Sequence, residues 1–455
     1  MKMGKKGILK ALSLFLALSG CTPISINKLD LQMPKIKYEI REVKDLLRKK
    51  ALKFEKNTLE WHITPEGLFA YNIDISKSFP GNPYIRRYGD VAIFTGIYLA
   101  SQAFRYGVTN DEEALNNIRR SVKALHNLQE ITGVEGLIAR YYGKEENTHI
   151  ESRRDLRELH KGSGKFEGYV FVGNPSVDQL AGVFFGYAIA YDVVKDEGIR
   201  KAIREDVSKI MDHIVENGML VRDVDGERAN FTNMGPTTYS NSNKLMGLSF
   251  LKTAYHITGN KKYQEKYKKL IKNFGYAKKT LNVKWGVKGK LLDMEATFND
   301  NVAFLGFYNL IKYENDEKLV EIYKEGIKNY WEEWVKGEGN SFLNFIFLAS
   351  FPEYKGKSLA INEAIRSLYL LPEDKRGRRV ENSKRNICKR KVLTKHFKFE
   401  EKACYPLPIN ERPIEDFYWQ RDPYKLDGIS GKNVEYGGLD YLIAYWFGVY
   451  HGFIK

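Results

Sequence analysis

The sequence predicts an all-α protein in which six helical hairpins close into a ring, with a short β-hairpin and long loops between them. Three observations carry this. First, a polar residue followed by an almost wholly apolar helix recurs at 90–107, 178–194, 243–258, 300–313, 340–350 and 439–452. Second, a two-faced helix follows each of the first five, at 110–131, 196–217, 261–276, 316–335 and 357–371. Third, a two-faced helix at 37–59 has no apolar helix before it, and the last apolar helix has no partner after it. Pairing those two closes the ring. An all-apolar helix needs neighbours on every side, whereas a two-faced one needs a single covered stripe, and a ring of hairpins satisfies both. The six inner helices then point one way, and their N-terminal ends gather at one mouth.

The elements follow in order. In the helix at 37–59, Ile40, Val43, Leu46, Leu47, Ala51 and Phe54 fall near one face. Residues 61–88 form a loop broken by Pro65-Glu66-Gly67, Pro80-Gly81 and Asn82-Pro83. Asn110-Asp111 caps the next two-faced helix, whose stripe is Leu115, Ile118, Val122, Leu125 and Leu128, and Gly133 stops it. Residues 136–175 are a connection long enough to be functional or a local insertion. Residues 221–231, with Asp225-Gly226 at the centre, are expected as a short β-hairpin. A basic insert at 374–402 and a loop with Pro406, Pro408 and Pro413 precede the last helix. Gly96, Gly182, Gly247 and Gly306 lie inside inner helices. Each costs about 1 kcal/mol of helix propensity relative to Ala and permits close packing in return.

Composition adds bounds. With 43% apolar residues the chain can fill a large core, which excludes the disordered class. Lys2, Lys5, Lys6 and Lys10 precede an apolar run at 11–18 that is too short to span a bilayer. Leu18-Ser19-Gly20-Cys21 then resembles the lipobox of bacterial lipoproteins. That resemblance implies a signal peptide at 1–20, a tether at 21–36 and a ring domain at 37–455. It also implies acylation of Cys21, palmitate being the usual kind of chain, and hence the membrane as a partner. Thr22 in place of Asp implies the periplasmic side of the outer membrane rather than the inner membrane.

The net charge of +16 comes in part from the signal segment and the basic insert, which holds Arg376, Arg378, Arg379, Lys384, Arg385, Lys389, Arg390, Lys391, Lys395 and Lys398. The insert reads as a solvated loop, or alternatively as a contact for an anionic partner such as acidic polysaccharide. Export argues against nucleic acid. Cys388 and Cys404, in an oxidising compartment, are expected either as a disulfide contributing roughly 3 kcal/mol or as two free thiols. No Cys/His spacing fits a zinc site, and Asp223-Val224-Asp225 lacks the rest of a calcium loop, so no metal is expected. No phosphate-cradling motif is present either, so no cofactor is expected.

At the level of architecture, and over nearly the whole mature chain, the six hairpins resemble the six-hairpin glycosidase-like superfamily, the (α/α)6 toroids. The resemblance implies a carbohydrate-active enzyme of glycoside hydrolase type. In its unsaturated glucuronyl hydrolases, catalytic aspartates come from inner helices. Carried to this chain, Asp178 becomes the proton donor and Asp90 its partner, at matching positions on the first two inner helices. Tyr88, Arg87, Gln179, Asn243, Asn301, Trp419 and Arg421 are the expected sugar-binding residues, since aromatic faces stack on sugar rings and cations hold a uronate.

The plain alternative is that Asp and Asn at six helix starts are six N-caps. A helix N-terminus also stabilises an anion, while a general acid needs its pKa raised, so burial and carboxylate repulsion must win. Two other functions stay open. One is a lyase or epimerase using Tyr88, His62 or Tyr239 as base, and the other is a non-catalytic carbohydrate-binding or envelope-assembly lipoprotein. A catalytic mouth holds Asp90 and Asp178 across open space. A non-catalytic one ties both to their own helix N–H groups.

Overall fold

The computed structural model describes residues 40–284, 286, 291–293, 297, 299–429 and 431–455. The expected signal peptide at 1–20, Cys21, the expected tether at 21–36 and Trp285 lie outside the described residues. Helix α1 (Ile40–Asn57) is an outer helix. Four inner–outer pairs follow: α2 (Val91–Thr109) with α3 (Glu112–Glu130), α4 (Val177–Val193) with α5 (Glu197–Glu216), α6 (Asn241–Thr258) with α7 (Lys261–Phe274), and α8 (Asn299–Tyr313) with α9 (Glu317–Tyr330). The fifth pair is α10 (Ser341–Ser350) with α11 (Lys357–Leu370), and α12 (Leu439–Tyr450) is the last inner helix.

The inner helices pack in the cyclic order α2, α4, α6, α8, α10, α12 and back to α2, and α1 covers α12. This is the predicted (α/α)6 toroid. Its closure is specific: Tyr441 Oη donates to Leu47 O at 2.8 Å, and Trp446 Nε1 donates to Glu55 Oε1 at 2.9 Å. Local sequence explains the helices. From Val177 to Ala190 nearly every side chain of α4 is buried, whereas α3 buries one stripe through Leu115, Ile118, Val122, Leu125 and Leu128. Asp111, Asp196, Asn260 and Asp316 cap the outer helices α3, α5, α7 and α9 with their side chains, so those helices start where the chain offers a short polar acceptor. Among the described residues no helix is long and apolar enough to cross a membrane.

The strands differ from the expectation. Residues 221–231 form no ladder; a single bridge joins Arg222 and Arg228. The segment's polar groups are used outward instead: Arg222 N donates to His213 Nε2 at 3.1 Å, and Asp223 Oδ2 accepts from Asn174 N at 2.8 Å. Strands form elsewhere. β1 (Asn72–Asp74) runs beside the start of the ring, and β2 (Tyr141–Lys144), β3 (Leu159–Lys161) and β4 (Tyr169–Val172) fill the 136–175 connection in the antiparallel order β2-β4-β3. β5 (Leu292–Asp293), β6 (Arg379–Glu381), β7 (Lys389–Thr394), β8 (Phe399–Ala403), β9 (Asp427–Ile429) and β10 (Val434–Tyr436) come later. β7 lies between β5 and β8, β6 pairs with β9, and β10 returns to β1.

The basic insert is therefore a tied-down sheet rather than a free loop. Lys402 Nζ meets Asp293 at 2.7 Å and Asp422 at 2.5 Å, and Arg385 meets Glu411 at 2.5 Å. Cys388 and Cys404 are joined as a disulfide at the base of the β7–β8 hairpin, with Cα atoms 5.4 Å apart.

The closest packing in the ring is between α2 and α4. A Cβ on Gly96 would lie 2.2 Å from Gly182 O, one on Gly182 2.2 Å from Ile93 O, and one on Gly186 2.2 Å from Gly96 O. The two backbones touch, and no side chain fits between them. Gly247 differs, because a Cβ there would come no nearer than 3.2 Å to its closest neighbour, Met234 Cβ, with Met219 Cε and Met234 O at 3.5 Å. Gly182→Ala is expected to destabilise the fold by at least about 2 kcal/mol in urea unfolding, through overpacking against backbone. Gly247→Ala, where Met234 need shift by only a few tenths of an ångström, is expected to change stability by less than about 1 kcal/mol.

Candidate active site

Of the six inner-helix starts at the mouth, four are closed by their own sequence. At α6, Ser240 Oγ accepts from Asn243 N at 3.1 Å. At α8, Asp300 takes the Tyr330 hydroxyl at 2.8 Å and pairs with Lys284. At α10, Asn340 Oδ1 accepts from Leu343 N at 3.2 Å. At α12, Asp440 Oδ2 receives Lys375 Nζ at 2.7 Å and Tyr418 N at 3.2 Å. These are caps and buried ion pairs.

The first two starts leave their carboxylates open to the mouth, although at α4 Ser176 and Gln179 form a capping box, with Ser176 N donating to Gln179 Oε1 at 2.7 Å. Asp90 precedes α2 without capping it; its carboxylate takes Gln179 Nε2 at 3.2 Å and the Tyr71 hydroxyl at 3.5 Å. Asp178 lies in the first turn of α4, and its carboxylate makes no hydrogen bond among the described residues. Both line a cavity of about 240 Å³. A third carboxylate, Asp416, joins them there with the cations Arg421 and Lys395, the polar Thr297 and Gln420, and the apolar Ile93 and Val302. Asp416 Oδ2 holds Arg421 Nη2 at 3.0 Å and has Arg87 Nη1 3.6 Å away. Gln420 Nε2 donates to Asp416 Oδ1 at 3.2 Å.

Arg140 ties the two open starts together from beneath. Its Nη1 donates to Gly89 O at 2.9 Å, one residue before Asp90. Its Nε donates to Asn174 O at 2.7 Å, on the approach to α4. Gln179 Nε2 also donates to Gly89 O, at 3.0 Å. Nη2 of Arg140 is buried without a partner among the described residues, so the guanidinium charge acts on the carboxylates through space.

Burial raises all three carboxyl pKa values. Asp178 is pushed up to about 6, first by burial and then by the Asp90 charge, with Arg140 opposing. Asp90 is raised by burial, with Arg140 opposing and Asp416 adding. Asp416 is raised by burial against the pull of Arg421. Desolvation and like-charge repulsion thus outweigh the helix N-terminus, the condition a proton donor here needs.

Several expected binding residues lie elsewhere. Tyr88 is fully buried, accepts from His149 N at 3.0 Å and packs edge-on against Tyr141, because the β2–β4 sheet covers it. Trp419 is buried among Phe94, Phe342 and Phe417, where it plugs the top of the ring instead of offering a face to solvent. Asn243 holds the loop before its helix through Asn233 O at 2.9 Å. Asn301 is buried and turns its Oδ1 to Val302 N at 2.9 Å. Gln179 positions Asp90 and does not line the cavity. Arg421 lines the cavity as expected, and Arg87 stands at its rim. His62 is buried between Ala70 O at 2.6 Å and Glu435 at 3.3 Å. Asp416, Gln420, Thr297 and Lys395 were not singled out from sequence as site residues. The only signals were the acid pair Glu415-Asp416 before an aromatic run and the density of lysine in the insert.

The raised pKa of Asp178 has a stability consequence of definite sign. The folded chain keeps a proton that the unfolded chain releases near the ordinary aspartate value of 3.8, so this group lowers stability as pH rises from about 4 to about 6. At about 1.4 kcal/mol per unit the loss is on the order of 3 kcal/mol. Asp178→Asn lacks that loss. Urea unfolding is expected to show the variant more stable than wild type at pH 8, by up to about 3 kcal/mol, with the gain gone near pH 4.

No family model and no curated protein sequence matches this chain. Solved structures do resemble it. A glycoside hydrolase family 76 mannosidase from Bacteroides thetaiotaomicron VPI-5482 aligns with a TM-score of 0.48 and 10% identity, over 90% of this chain and 98% of that chain. An unsaturated glucuronyl hydrolase specific for heparin aligns with 0.47 and 12% identity, over 90% and 97%. A sugar epimerase from a ruminal bacterium aligns with 0.47 and 10% identity, over 88% and 98%. At these identities the likeness is one of fold.

Proposed function

We propose that the protein is a carbohydrate-active enzyme of glycoside hydrolase type that acts on acidic sugars, with Asp178 as general acid and Asp90 as its carboxylate partner. The observation that carries this is the state of Asp178: a carboxyl lining a cavity, without a hydrogen-bond partner among the described residues, with a pKa pushed up to about 6. A structural aspartate at a helix start normally binds N–H groups and has its pKa lowered. At α4 that capping falls to Ser176 and Gln179, and Asp178 keeps a transferable proton close to neutral pH. Asp90 is held in place by Gln179 and feels the Arg140 charge, which suits the ionised partner of a pair with separated roles. Arg421 and Lys395 line the same cavity and Arg87 stands at its rim, the arrangement expected for a substrate carrying a carboxylate or sulfate. The lyase or epimerase reading is weaker, because Tyr88 and His62 are buried against other partners and Tyr239 lies fully in solvent away from the cavity.

The test is turnover and binding of an acidic-oligosaccharide panel by protein lacking residues 1–20. Asp178→Asn is expected to lower kcat by at least about 100-fold while binding persists. In wild type, kcat/KM is expected to fall as pH rises through about 6, when Asp178 loses its proton. Binding without turnover in either form would sink the hydrolase reading and favour an envelope-binding protein.

We also propose that the chain is exported and anchored through an acylated Cys21. Metabolic labelling with an alkyne-tagged palmitate is expected to mark the wild type and to miss Cys21→Ser. Label on the variant would remove the anchor from Cys21.

A further inference from the structure

Among the described residues the most exposed aromatic rings are Tyr239, Phe231, Phe79, Phe397 and Phe399, each at least 64% exposed. All five lie in connections running from an outer to an inner helix, and those connections open on the mouth face. Two of the rings sit on unusual backbone. Phe231 has φ +59° and Phe397 has φ +56°, a left-handed conformation that bulky residues rarely adopt. Neither residue gains burial in return, since they are 76% and 65% exposed. A bulky apolar side chain kept at a strained, solvated position points to a use outside folding.

Their positions relate both to the cavity. Phe397 is in the turn of the β7–β8 hairpin, where its N–H donates to Thr394 O at 2.9 Å, and Lys395 of the same turn lines the cavity. Phe231 follows Asn230, whose N–H donates to Asn174 Oδ1 at 2.7 Å. Asn174 also receives Arg140 and begins the approach to Asp178. The Phe397 turn thus borders the cavity through Lys395, and the Phe231 loop is tied through Asn174 to the segment that leads into Asp178. The cavity itself, about 240 Å³, is below the roughly 300–1,000 Å³ of pockets that enclose a drug-sized ligand. It has room for a small group such as one sugar ring, and any longer substrate must continue outside it.

We propose that the substrate is an anionic glycan several units long, and that Phe231 and Phe397 stack against sugar units on either side of the one held in the cavity. The inference rests on the carbohydrate reading above and adds chain length and polarity to it. Apolar sugar faces match exposed rings, and Lys391 and Lys398 on the Phe397 hairpin match acidic groups along the chain.

The experiment uses protein lacking residues 1–20, with size ladders of hyaluronan, heparin and polygalacturonate oligosaccharides from two to twelve units, and phosphatidylglycerol vesicles as a separate arm. For at least one ladder, wild-type affinity is expected to climb with chain length. Phe231→Ala and Phe397→Ala should each lose about tenfold on long chains, with the loss growing with length. Phe397→Gly should show the same loss with an unchanged or higher melting temperature, since glycine suits the left-handed backbone. Equal affinity of variants and wild type at every length overturns the proposal, as does binding to none of the ladders or to vesicles alone. Asp178→Asn separates the two ideas. If it abolishes turnover while the phenylalanine variants behave as wild type, the hydrolase stands and the platforms fall. If it retains turnover while chain-length binding depends on the rings, the platforms stand and the role of Asp178 falls.

Discussion

Backbone contact between α2 and α4 is the constraint from which the mouth of the ring follows. Gly96, Gly182 and Gly186 face carbonyl oxygens of the opposite helix at distances that leave no space for a Cβ. Helices that close present their first turns side by side, so Asp90 and Asp178 both line one cavity. Three glycines inside helices cost helix propensity, and a looser ring of alanine-lined helices would be easier to form. What the close approach adds is a pair of carboxyls that cannot drift apart, because the rigid elements carrying them are in contact and the loops leading into them are both hydrogen-bonded to Arg140.

The electrostatics depend on that placement. Four helix starts at the mouth spend their polar side chains on caps or ion pairs, the arrangement that stabilises a fold. The two in contact leave their carboxylates out of such bonds, although Ser176 and Gln179 cap α4. Asp178 is largely desolvated beside another acid, and the Arg140 charge acts on it through space. That is an unfavourable setting for an anion, and it is confined to the place where two helices touch. Departure from the rule followed at the other four starts is what makes this pair informative.

The ring was legible in the sequence because its signal is repeated: apolar helices that need burial all round, alternating with single-stripe helices such as the one through Leu115, Ile118, Val122, Leu125 and Leu128. Its closure was legible because α1 and α12 each lacked a partner. Asp90 and Asp178 were legible because they begin equivalent helices. Strands were not, since β1 pairs with β10 and β6 with β9 across long separations, and short remote pairs leave no local alternation. Trp419 misled for a related reason. An aromatic in a polar loop looks like a platform, yet here it fills the throat of the ring beside Phe417, where the core needs volume. Asp416 was hidden because a loop carboxylate carries no periodicity; only the fold brings it back across the chain to Asp90.

The cavity is built from two unlike halves. Helix starts supply Asp90 and Asp178, and the segments before α12 supply Asp416, Gln420, Arg421 and Lys395. The second half is pinned to the ring by Lys375 against Asp440 and by the buried rings of Phe417, Tyr418 and Trp419. Its charged groups therefore stand at fixed positions over the carboxyl pair, although they come from loops. A proton donor needs a stable, partly dry environment, which helices in backbone contact provide. Selection among substrates needs side chains that can be exchanged without disturbing the core, which an inserted sheet on the rim provides. On the hydrolase reading proposed above, ring and insert divide the two tasks, the ring holding the carboxyl pair and the insert supplying charged and aromatic groups at the rim.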